Sequence, residues 1–298
     1  MDIFYCYLEA IEKFGSPIYV RHEVVHNKIV VEDLKSKGVI FVDELDEVPD
    51  GERVIFSAHG VAKSVEDEAE ERNLNYFDAT CPLVTKVHNE VIRHNRANRD
   101  VVLIGHAGHP EVEGTIGRHD PSSSRNIYLV EDVNDVKRLE VSDEMKIAYV
   151  TQTTLSLDDT KDIVDALNAK FPSLHQPRSS DICYATQNRQ NAVKELASQV
   201  ERILVVGASN SSNTLRLVEV ARAEGTAARR VEEASEIERA DVEGVNSIGI
   251  TAGASAPEDV VQSIVTKLCR LAPQHSLREL RLVDENVNFA LPALLRTA

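Results

Sequence analysis

The sequence predicts an α/β protein built from three related units, in which strands alternate with helices. The first observation is a repeat. Cys81 and Cys183 each precede a helix-patterned segment, and each is followed twenty-four residues later by a glycine that ends an apolar strand. Equal spacing of otherwise unlike residues is typical of a repeated α/β unit. The two strands and their glycines are 101–104 with Gly105, and 203–206 with Gly207.

The second observation is that polar turns follow the predicted strands. In parallel sheets, ligands gather at the carboxyl ends of the strands, so these turns are the expected place for a binding site. The turns cover residues 22–27, 57–60, 106–111, 151–154, 208–213 and 251–255.

The elements divide the chain into four predicted segments. The first unit contains a helix over 1–14 ended by Gly15, strands over 18–21, 39–42 and 54–56, and an apolar run at 76–77. The strand over 18–21 would place the cysteine of this unit before Met1, so the first unit is predicted to be N-terminally incomplete. The segments are an incomplete first unit (1–80), a second unit (81–180), a third unit (181–272), and a C-terminal strand and tail (273–298).

Net charge and cysteine content argue against some kinds of binding partner and indicate the cellular compartment. The 298 residues carry a formal net charge of −16, which argues against broad binding to nucleic acid or to an anionic membrane. Four cysteines without close pairing indicate a reducing compartment. With no signal peptide and no apolar run of membrane-spanning length, we expect a cytoplasmic protein.

Cys81 and Cys183 are the first candidates for chemistry. Pro82 fits the first turn of a helix, so Cys81 should lie at the helix N-cap, where the helix dipole favours the thiolate. Spacing alone leaves four hypotheses open: an iron–sulfur cluster between units, a lone nucleophile, a zinc site with nearby histidines, and structural cysteines. Cys6 and Cys269 are interpreted as packing residues.

A set of polar side chains forms the second group of candidates. Histidines at repeat-related positions, together with hydroxyl and amide side chains, would form a ring of donors suited to an anionic head group. Glu111 is the one carboxylate in these turns and is a candidate proton source. Ser255 and Glu258 have capping-box spacing at a helix start. The ring comprises His26, His59, His109, Ser211, Ser212, Asn213 and Ser255.

At this point the chain resembles a known family, the 4-hydroxy-3-methylbut-2-enyl diphosphate reductases. The resemblance covers about residues 10 to 295, in order, and its motifs are specific. The runs that carry it are 19–27, 56–61, 77–88, 104–114, 151–156, 181–186, 211–213 and 251–257.

The resemblance implies a three-lobed, trefoil-like fold around a central 4Fe-4S cluster, with Cys81 and Cys183 as two of its three thiolate ligands. It also implies that Glu111 donates a proton through a relay with Thr153, with His109 beside them. The implied reaction removes the substrate hydroxyl with two electrons and two protons, the last step of the non-mevalonate pathway to isopentenyl and dimethylallyl diphosphates. The implied diphosphate pocket contains His26, His59, His109, Thr153, Ser211, Ser212, Asn213 and Ser255.

One departure from the family bears on the cofactor. The Arg-Gly-Phe-Cys-Ala-Gly segment that carries the family's third cysteine is not in this sequence, and Cys6 lies too close to Gly15 to replace it. We expect a reductase whose start is truncated; the alternative is a diphosphate-binding variant without cluster chemistry. Since no nucleotide-binding glycine fingerprint is present, a ferredoxin or flavodoxin is the expected electron donor. This 298-residue chain is expected to retain little cluster.

Overall fold

The computed structural model describes residues 3–23, 28–285, 287 and 295. These residues form three parallel sheets, as predicted, and each sheet is built on one central strand flanked by the next two strands of the chain. The chain forms two compact units: the first contains the sheets over 18–78 and 100–151, and the second contains the sheet over 202–252. One sheet lies in each of the three predicted repeat segments, whose boundaries remain a prediction.

The first sheet has four strands in the order β2-β1-β3-β4. Its strands and helices, in chain order, are α1 (Ile3–Phe14), β1 (Ile18–Arg21), α2 (Lys28–Ser36), β2 (Val39–Val42), β3 (Arg53–Phe56), α3 (Lys63–Glu71) and β4 (Asn75–Asp78).

The second sheet has three strands in the order β6-β5-β7. All five residues of β5 are buried, as expected for the central strand of a parallel sheet covered on both faces. The elements are α4 (Pro82–Arg96), β5 (Asp100–Ile104), α5 (Pro110–Ile116), β6 (Ile127–Val130), α6 (Val133–Arg138), β7 (Ile147–Thr151) and α7 (Leu157–Lys170).

The third sheet lies in the second compact unit and has the order β10-β8-β9. Its elements are α8 (Tyr184–Ala197), β8 (Arg202–Val206), α9 (Ser212–Ala223), β9 (Ala227–Val231), α10 (Arg239–Val242), β10 (Ile248–Ala252) and α11 (Glu258–Leu271).

The repeat is visible in a single backbone hydrogen bond. In each sheet, the N–H of the residue after the central strand donates to the carbonyl of the last residue of the neighbouring strand. The first unit has a histidine at this position, in the left-handed region at φ 60°. The three bonds are His22 to Val42 (2.9 Å), Gly105 to Val130 (3.1 Å) and Gly207 to Val231 (2.9 Å).

The predicted C-terminal strand is wrong for the described residues. Residues 276–285 contain no regular structure, and Leu282 and Val283 are 46% and 54% exposed. The apolar pattern over 280–283 has no neighbouring strand to pair with, and unpaired backbone is not a stable strand. In the described part of the chain, no helix is both long enough and apolar enough to cross a membrane.

Packing in the second sheet gives a stability prediction. Leu167 on α7 is fully buried in the core that includes Phe171 and Ile104. We expect Leu167→Ala to lower the free energy of unfolding by about 2–5 kcal/mol, because it removes buried methyl groups and leaves a cavity. Leu277→Ala is the matched control, since Leu277 is 70% exposed and should change stability by less than about 0.5 kcal/mol. Equal shifts of the urea midpoint in the two variants would contradict this packing.

Candidate active site

Cys81 lies at the N-cap of α4, with Pro82 in the first turn, as the sequence predicts. The turn that carries it is fixed to the preceding sheet, because the Cys81 N–H donates to the Ala58 carbonyl at 3.0 Å. Ala58 lies two residues after the end of β3, in the polar turn that also contains Ser57 and His59. The thiol and that histidine therefore belong to adjoining turns at the carboxyl end of one sheet.

The electrostatics at Cys81 differ from the prediction. Burial raises the pKa of the Cys81 thiol, and the N–H groups of Leu83 and Val84 lower it only in part. The negative charges of Cys183 and Glu111 raise it further, which shows that both lie within electrostatic reach. Desolvation outweighs the helix N-terminus, so the metal-free protein favours the protonated thiol rather than the thiolate.

Cys183 directly precedes α8, again as predicted. Its N–H donates to the carbonyl of Thr153 at 2.9 Å. Thr153 lies two residues beyond the end of β7, so the second thiol is attached to the turn that follows that strand. The structure thus brings the two repeated cysteines to one region of the first compact unit.

Glu111 and Thr153 form the tightest polar contact of this region. The Thr153 N–H donates to Glu111 Oε1 at 2.6 Å, and its hydroxyl donates to Oε2 at 2.9 Å. Glu111 is 2% exposed and Thr153 is 5% exposed. One residue therefore binds both oxygens of a buried carboxyl group and fixes its orientation.

Burial controls the charge of Glu111. It raises the pKa of this carboxyl to about 7, although the two hydrogen bonds from Thr153 act in the opposite direction and the negative charge of Asp181 adds to the increase. A carboxyl group with a pKa near neutrality can hold a proton and release it at physiological pH. Glu111 has the acidity that a proton donor requires.

His109 is the N-cap of α5, and its Nδ1 accepts the Glu111 N–H at 3.1 Å. An accepting Nδ1 places the proton of the neutral ring on Nε2, which is then a donor. The rings of His59 and His109 lie edge to face, with centroids 5.7 Å apart. The structure therefore brings together two of the predicted histidines, and one of them also orients the backbone of Glu111.

Gln152 is a site residue that the sequence analysis missed. It is fully buried; its Oε1 accepts the His106 N–H at 3.1 Å, and its Nε2 donates to the Thr154 hydroxyl at 3.0 Å. It therefore ties the turn after β5 to the turn after β7. The signal available in the sequence was a polar residue between Thr151 and Thr153 at a strand end.

The second compact unit contains its own cluster of polar side chains. Ser211 is the N-cap of α9, and its Oγ accepts hydrogen bonds from the Thr214 N–H at 3.3 Å and from the Ser255 hydroxyl at 3.4 Å. These two bonds leave the Ser211 O–H as a donor. Ser212 follows as the first residue of the helix. The predicted capping box at Ser255 is wrong, because α11 begins at Glu258 with Pro257 as its N-cap.

Asn213 supplies an unpaired donor in the same cluster. Its Oδ1 accepts the Ala254 N–H at 2.8 Å, and Asn213 is 6% exposed. Its Nδ2 is buried and has no hydrogen-bond partner in the described structure. A buried unpaired amide is costly unless a ligand completes it, so this group fits an anionic ligand. His26, the remaining predicted binding residue, lies outside the described residues.

The donor set can be tested against an iron–sulfur cluster. Cys81 and Cys183 are two half-buried thiols in electrostatic contact, which suits them as ligands of such a group. Among the described residues, no group of three or more His, Cys, Asp or Glu side chains could hold a metal ion. The described residues therefore supply two thiolates and not a full set of ligands.

Comparisons with known proteins agree with one another. A family model described as LytB protein matches residues 4–269. A protein of Ectopseudomonas mendocina named 4-hydroxy-3-methylbut-2-enyl diphosphate reductase is 57% identical over 287 residues, which cover 96% of this chain and 91% of that protein. A protein of Tolumonas auensis with the same name is 56% identical, with coverages of 96% and 92%.

Solved structures show the same likeness. The structure titled E-1-hydroxy-2-methyl-but-2-enyl-4-diphosphate reductase from Plasmodium falciparum matches with a TM-score of 0.93 and 38% identity, over 98% of this chain and 91% of that one. A second, titled (E)-4-hydroxy-3-methyl-but-2-enyl diphosphate reductase, the terminal enzyme of the non-mevalonate pathway, matches with a TM-score of 0.64 and 29% identity, over 90% and 93%.

The acidity of Glu111 gives a pH prediction. Folding raises its pKa from 4.5 to about 7, so the native state binds a proton that the unfolded chain releases. Its contribution to stability is fully present below the unfolded pKa and is lost as pH rises through the folded one. Between about pH 5 and 8, the wild type should lose on the order of 3 kcal/mol more than Glu111→Gln, measured by urea denaturation.

Glu113→Gln is the control for this measurement, because Glu113 is exposed on the same helix. Infrared difference spectra should also show a protonated carboxyl band that disappears near neutral pH in the wild type and is missing from Glu111→Gln. The pKa assignment is wrong if both variants keep the pH dependence of the wild type.

Proposed function

The chain belongs to the LytB protein family, and from that membership we propose that it reduces 4-hydroxy-3-methylbut-2-enyl diphosphate to isopentenyl and dimethylallyl diphosphates. The reaction breaks the C–O bond of the allylic hydroxyl and forms a C–H bond. It takes up two electrons and two protons and releases water. The site must therefore bind a diphosphate, deliver protons and accept electrons from a donor.

We assign proton delivery to Glu111, because its burial, its pKa and its hydrogen bonds suit a proton donor. A fully desolvated carboxyl with a pKa near 7 is fixed on both oxygens by Thr153, beside two thiols. The Thr153 N–H can only donate to Oε1, so the transferable proton belongs on Oε2. The Thr153 hydroxyl donates to Oε2 when the carboxyl is ionised; when Oε2 is protonated the bond reverses, and the hydroxyl accepts the proton and can pass its own toward the substrate.

Two histidines lie beside Glu111 and Thr153 in the first compact unit. His109 accepts at Nδ1 and therefore presents Nε2–H as a donor, and His59 packs against it edge to face. Neutral imidazole donors can hold an oxygen of the substrate without adding a fixed charge. We assign His59, His109 and Thr153 to substrate binding.

Cys81 and Cys183 are the proposed ligands of a 4Fe-4S cluster. When bound, such a cluster would transfer single electrons and act as a Lewis acid toward the hydroxyl oxygen. The protein contributes desolvation around the Cys81 thiol, which metal binding must deprotonate. A ferredoxin- or flavodoxin-type protein is the proposed external electron donor, and the cytoplasm is the proposed compartment.

The diphosphate is assigned to the polar cluster of the second compact unit. Ser211, Asn213 and Ser255 lie at the start of α9 and in the turn after β10, and they present hydroxyl and amide donors. An oxyanion would pair the buried Asn213 Nδ2 and accept from the helix N-terminus. His26 and Ser212 are assigned to the same ligand by family resemblance.

The direct test of the function is an anaerobic assay. Protein reconstituted with iron and sulfide is mixed with the allylic diphosphate and a reduced flavodoxin, and the products are identified by mass spectrometry. Formation of both isopentenyl and dimethylallyl diphosphates supports the proposal. Tight binding of the diphosphate without turnover would instead support a cluster-free binding protein.

Replacing the proposed proton donor should separate catalysis from binding. Glu111→Gln keeps the shape and the bond from the Thr153 N–H to Oε1, and its Nε2 can donate to the Thr153 hydroxyl. It has no transferable proton, so kcat should fall by about 10²–10⁴-fold while KM changes little. Glu113→Gln, on the exposed side of α5, is the control and should retain the parent rate. A normal kcat for Glu111→Gln would demote Glu111 to a positioning residue.

The unpaired amide should affect affinity instead. Asn213→Asp keeps the oxygen that accepts from Ala254 but replaces the Nδ2 donor with a negatively charged oxygen. Loss of a charge-assisted hydrogen bond should weaken diphosphate binding by about 10- to 100-fold, with a smaller change in kcat. Asn134→Asp, at an exposed position on α6, controls for added charge. Calorimetry with inorganic diphosphate provides the measurement, and unchanged affinity would exclude this assignment.

The thiols should control iron binding. Cys81→Ser and Cys183→Ser should each reduce the iron retained after anaerobic reconstitution and desalting, because each removes one thiolate ligand. Cys269→Ser is the control, since Cys269 is exposed on α11 and has no place in the site. Iron quantification and the visible absorption of the cluster are the readouts. Equal iron content in all three variants would rule out the assigned ligands.

A further inference from the structure

We propose that the ion pair between Lys86 and Asp181 is a positioning device that holds the segments of Cys81 and Cys183 at the spacing needed to bind one ligand together. Lys86 Nζ lies 3.0 Å from Asp181 Oδ1, across a sequence separation of nearly a hundred residues. The inference deepens the proposed function, on which it rests for the identity of that ligand.

Lys86 connects α4, the helix that Cys81 caps, to the segment that precedes Cys183. It lies on α4, little more than one helical turn beyond Cys81. Besides the contact with Asp181, its ammonium donates to the carbonyls of Ser179 at 3.0 Å and Ser180 at 2.8 Å. The ammonium therefore makes two hydrogen bonds and one ion pair with this segment. The side chain is thus committed to the segment that leads to Cys183.

Asp181 connects the same segment to the sheet. Its side chain is fully buried, and its Oδ2 accepts the N–H of Thr151, the last residue of β7, at 3.1 Å. Two residues later, the Cys183 N–H donates to the Thr153 carbonyl. Asp181 therefore attaches the segment before Cys183 to the end of β7, and Thr153 attaches Cys183 itself to the turn that follows β7.

Charge makes the contact difficult to replace. Loss of Lys86 removes its ion pair with Asp181 and its hydrogen bonds to the carbonyls of Ser179 and Ser180. The segment that carries Cys183 would then lose these links to α4 and could shift. A buried ion pair adds little to stability compared with well-packed apolar residues. Its value here lies in geometry, because it joins the two cysteine segments directly.

The spacing of the thiols can be measured without the cluster. Phenylarsine oxide binds two thiols at once: each As–S bond formed takes up one sulfur, and the arsenic oxygen leaves as water with the two thiol protons. Two thiols held at the right distance chelate the arsenic far more tightly than one thiol does, through their effective concentration. The measurement uses the metal-free full chain with Cys269→Ser, so that the exposed thiol does not interfere.

We expect Lys86→Met and Asp181→Asn each to weaken arsenical binding by about tenfold or more, with Lys86→Arg recovering part of the loss because it keeps the charge. The double variant should be no weaker than the worse single one, since both remove the same contact. Lys161→Met is the matched control, because Lys161 forms an exposed ion pair with Asp165 on α7. Circular dichroism and the urea midpoint check that each variant is folded.

The outcomes separate this inference from the proposed function. Folded Lys86→Met and Asp181→Asn proteins that bind the arsenical as tightly as the parent would overturn the positioning role, whatever the enzyme does. If Cys81→Ser leaves the parent's arsenical affinity unchanged, the two thiols do not act as a pair and the inference is also overturned. Weakened chelation in a chain that shows no reductase turnover would support the positioning role and count against the proposed reaction alone.

Discussion

Two hydrogen bonds from Thr153, one to each oxygen of the Glu111 carboxyl, fix the geometry of the candidate site in the first compact unit. They join two turns that follow neighbouring strands, β5 and β7, so the sheet itself sets the position of the acid. The same Thr153 receives the Cys183 N–H at its carbonyl. Its backbone N–H, hydroxyl and carbonyl thus make three separate hydrogen bonds, and a shift of this one turn would move the Glu111 carboxyl and Cys183 together.

Desolvation is the second constraint shared across this region. It raises the pKa of Cys81 and of Glu111, and in both cases it outweighs neighbouring hydrogen-bond donors that favour the ionised form. For Glu111 this keeps the carboxyl protonated up to near-neutral pH, as the proposed role requires. For Cys81 it favours the protonated thiol, so the proposed cluster would have to displace that proton on binding. Desolvation thus favours the neutral form of both groups.

Much of the fold followed from local pattern. The strands over 18–21 and 39–42, the N-cap at Cys81 and the threefold repeat are all found where the sequence predicts them. The predicted strand over 280–283 was wrong, because an alternating apolar pattern does not form a stable strand without a neighbouring strand to pair with. The prediction of a thiolate at Cys81 was also wrong. The helix start can be recognised in the sequence, whereas the burial that raises the pKa of the thiol cannot. Gln152 and the pair Lys86 and Asp181 were missed because their contacts span about forty to a hundred residues, and no local pattern marks them.

The hydrogen bond that closes each central strand has a consequence for the turns that follow. It is made by a main-chain N–H, so the bond itself does not select the side chain at position 22, 105 or 207. Packing does select it at two of them, because a Cβ at Gly105 would meet Val112 at 2.7 Å and one at Gly207 would meet Thr214 at 2.2 Å. A histidine occupies the first of these at φ 60°, a conformation that costs roughly 1–2 kcal/mol outside glycine. The same closing bond is therefore compatible with turns of very different chemistry. Imidazoles and a carboxyl follow the strands of the first two sheets, whereas hydroxyls and an amide follow those of the third.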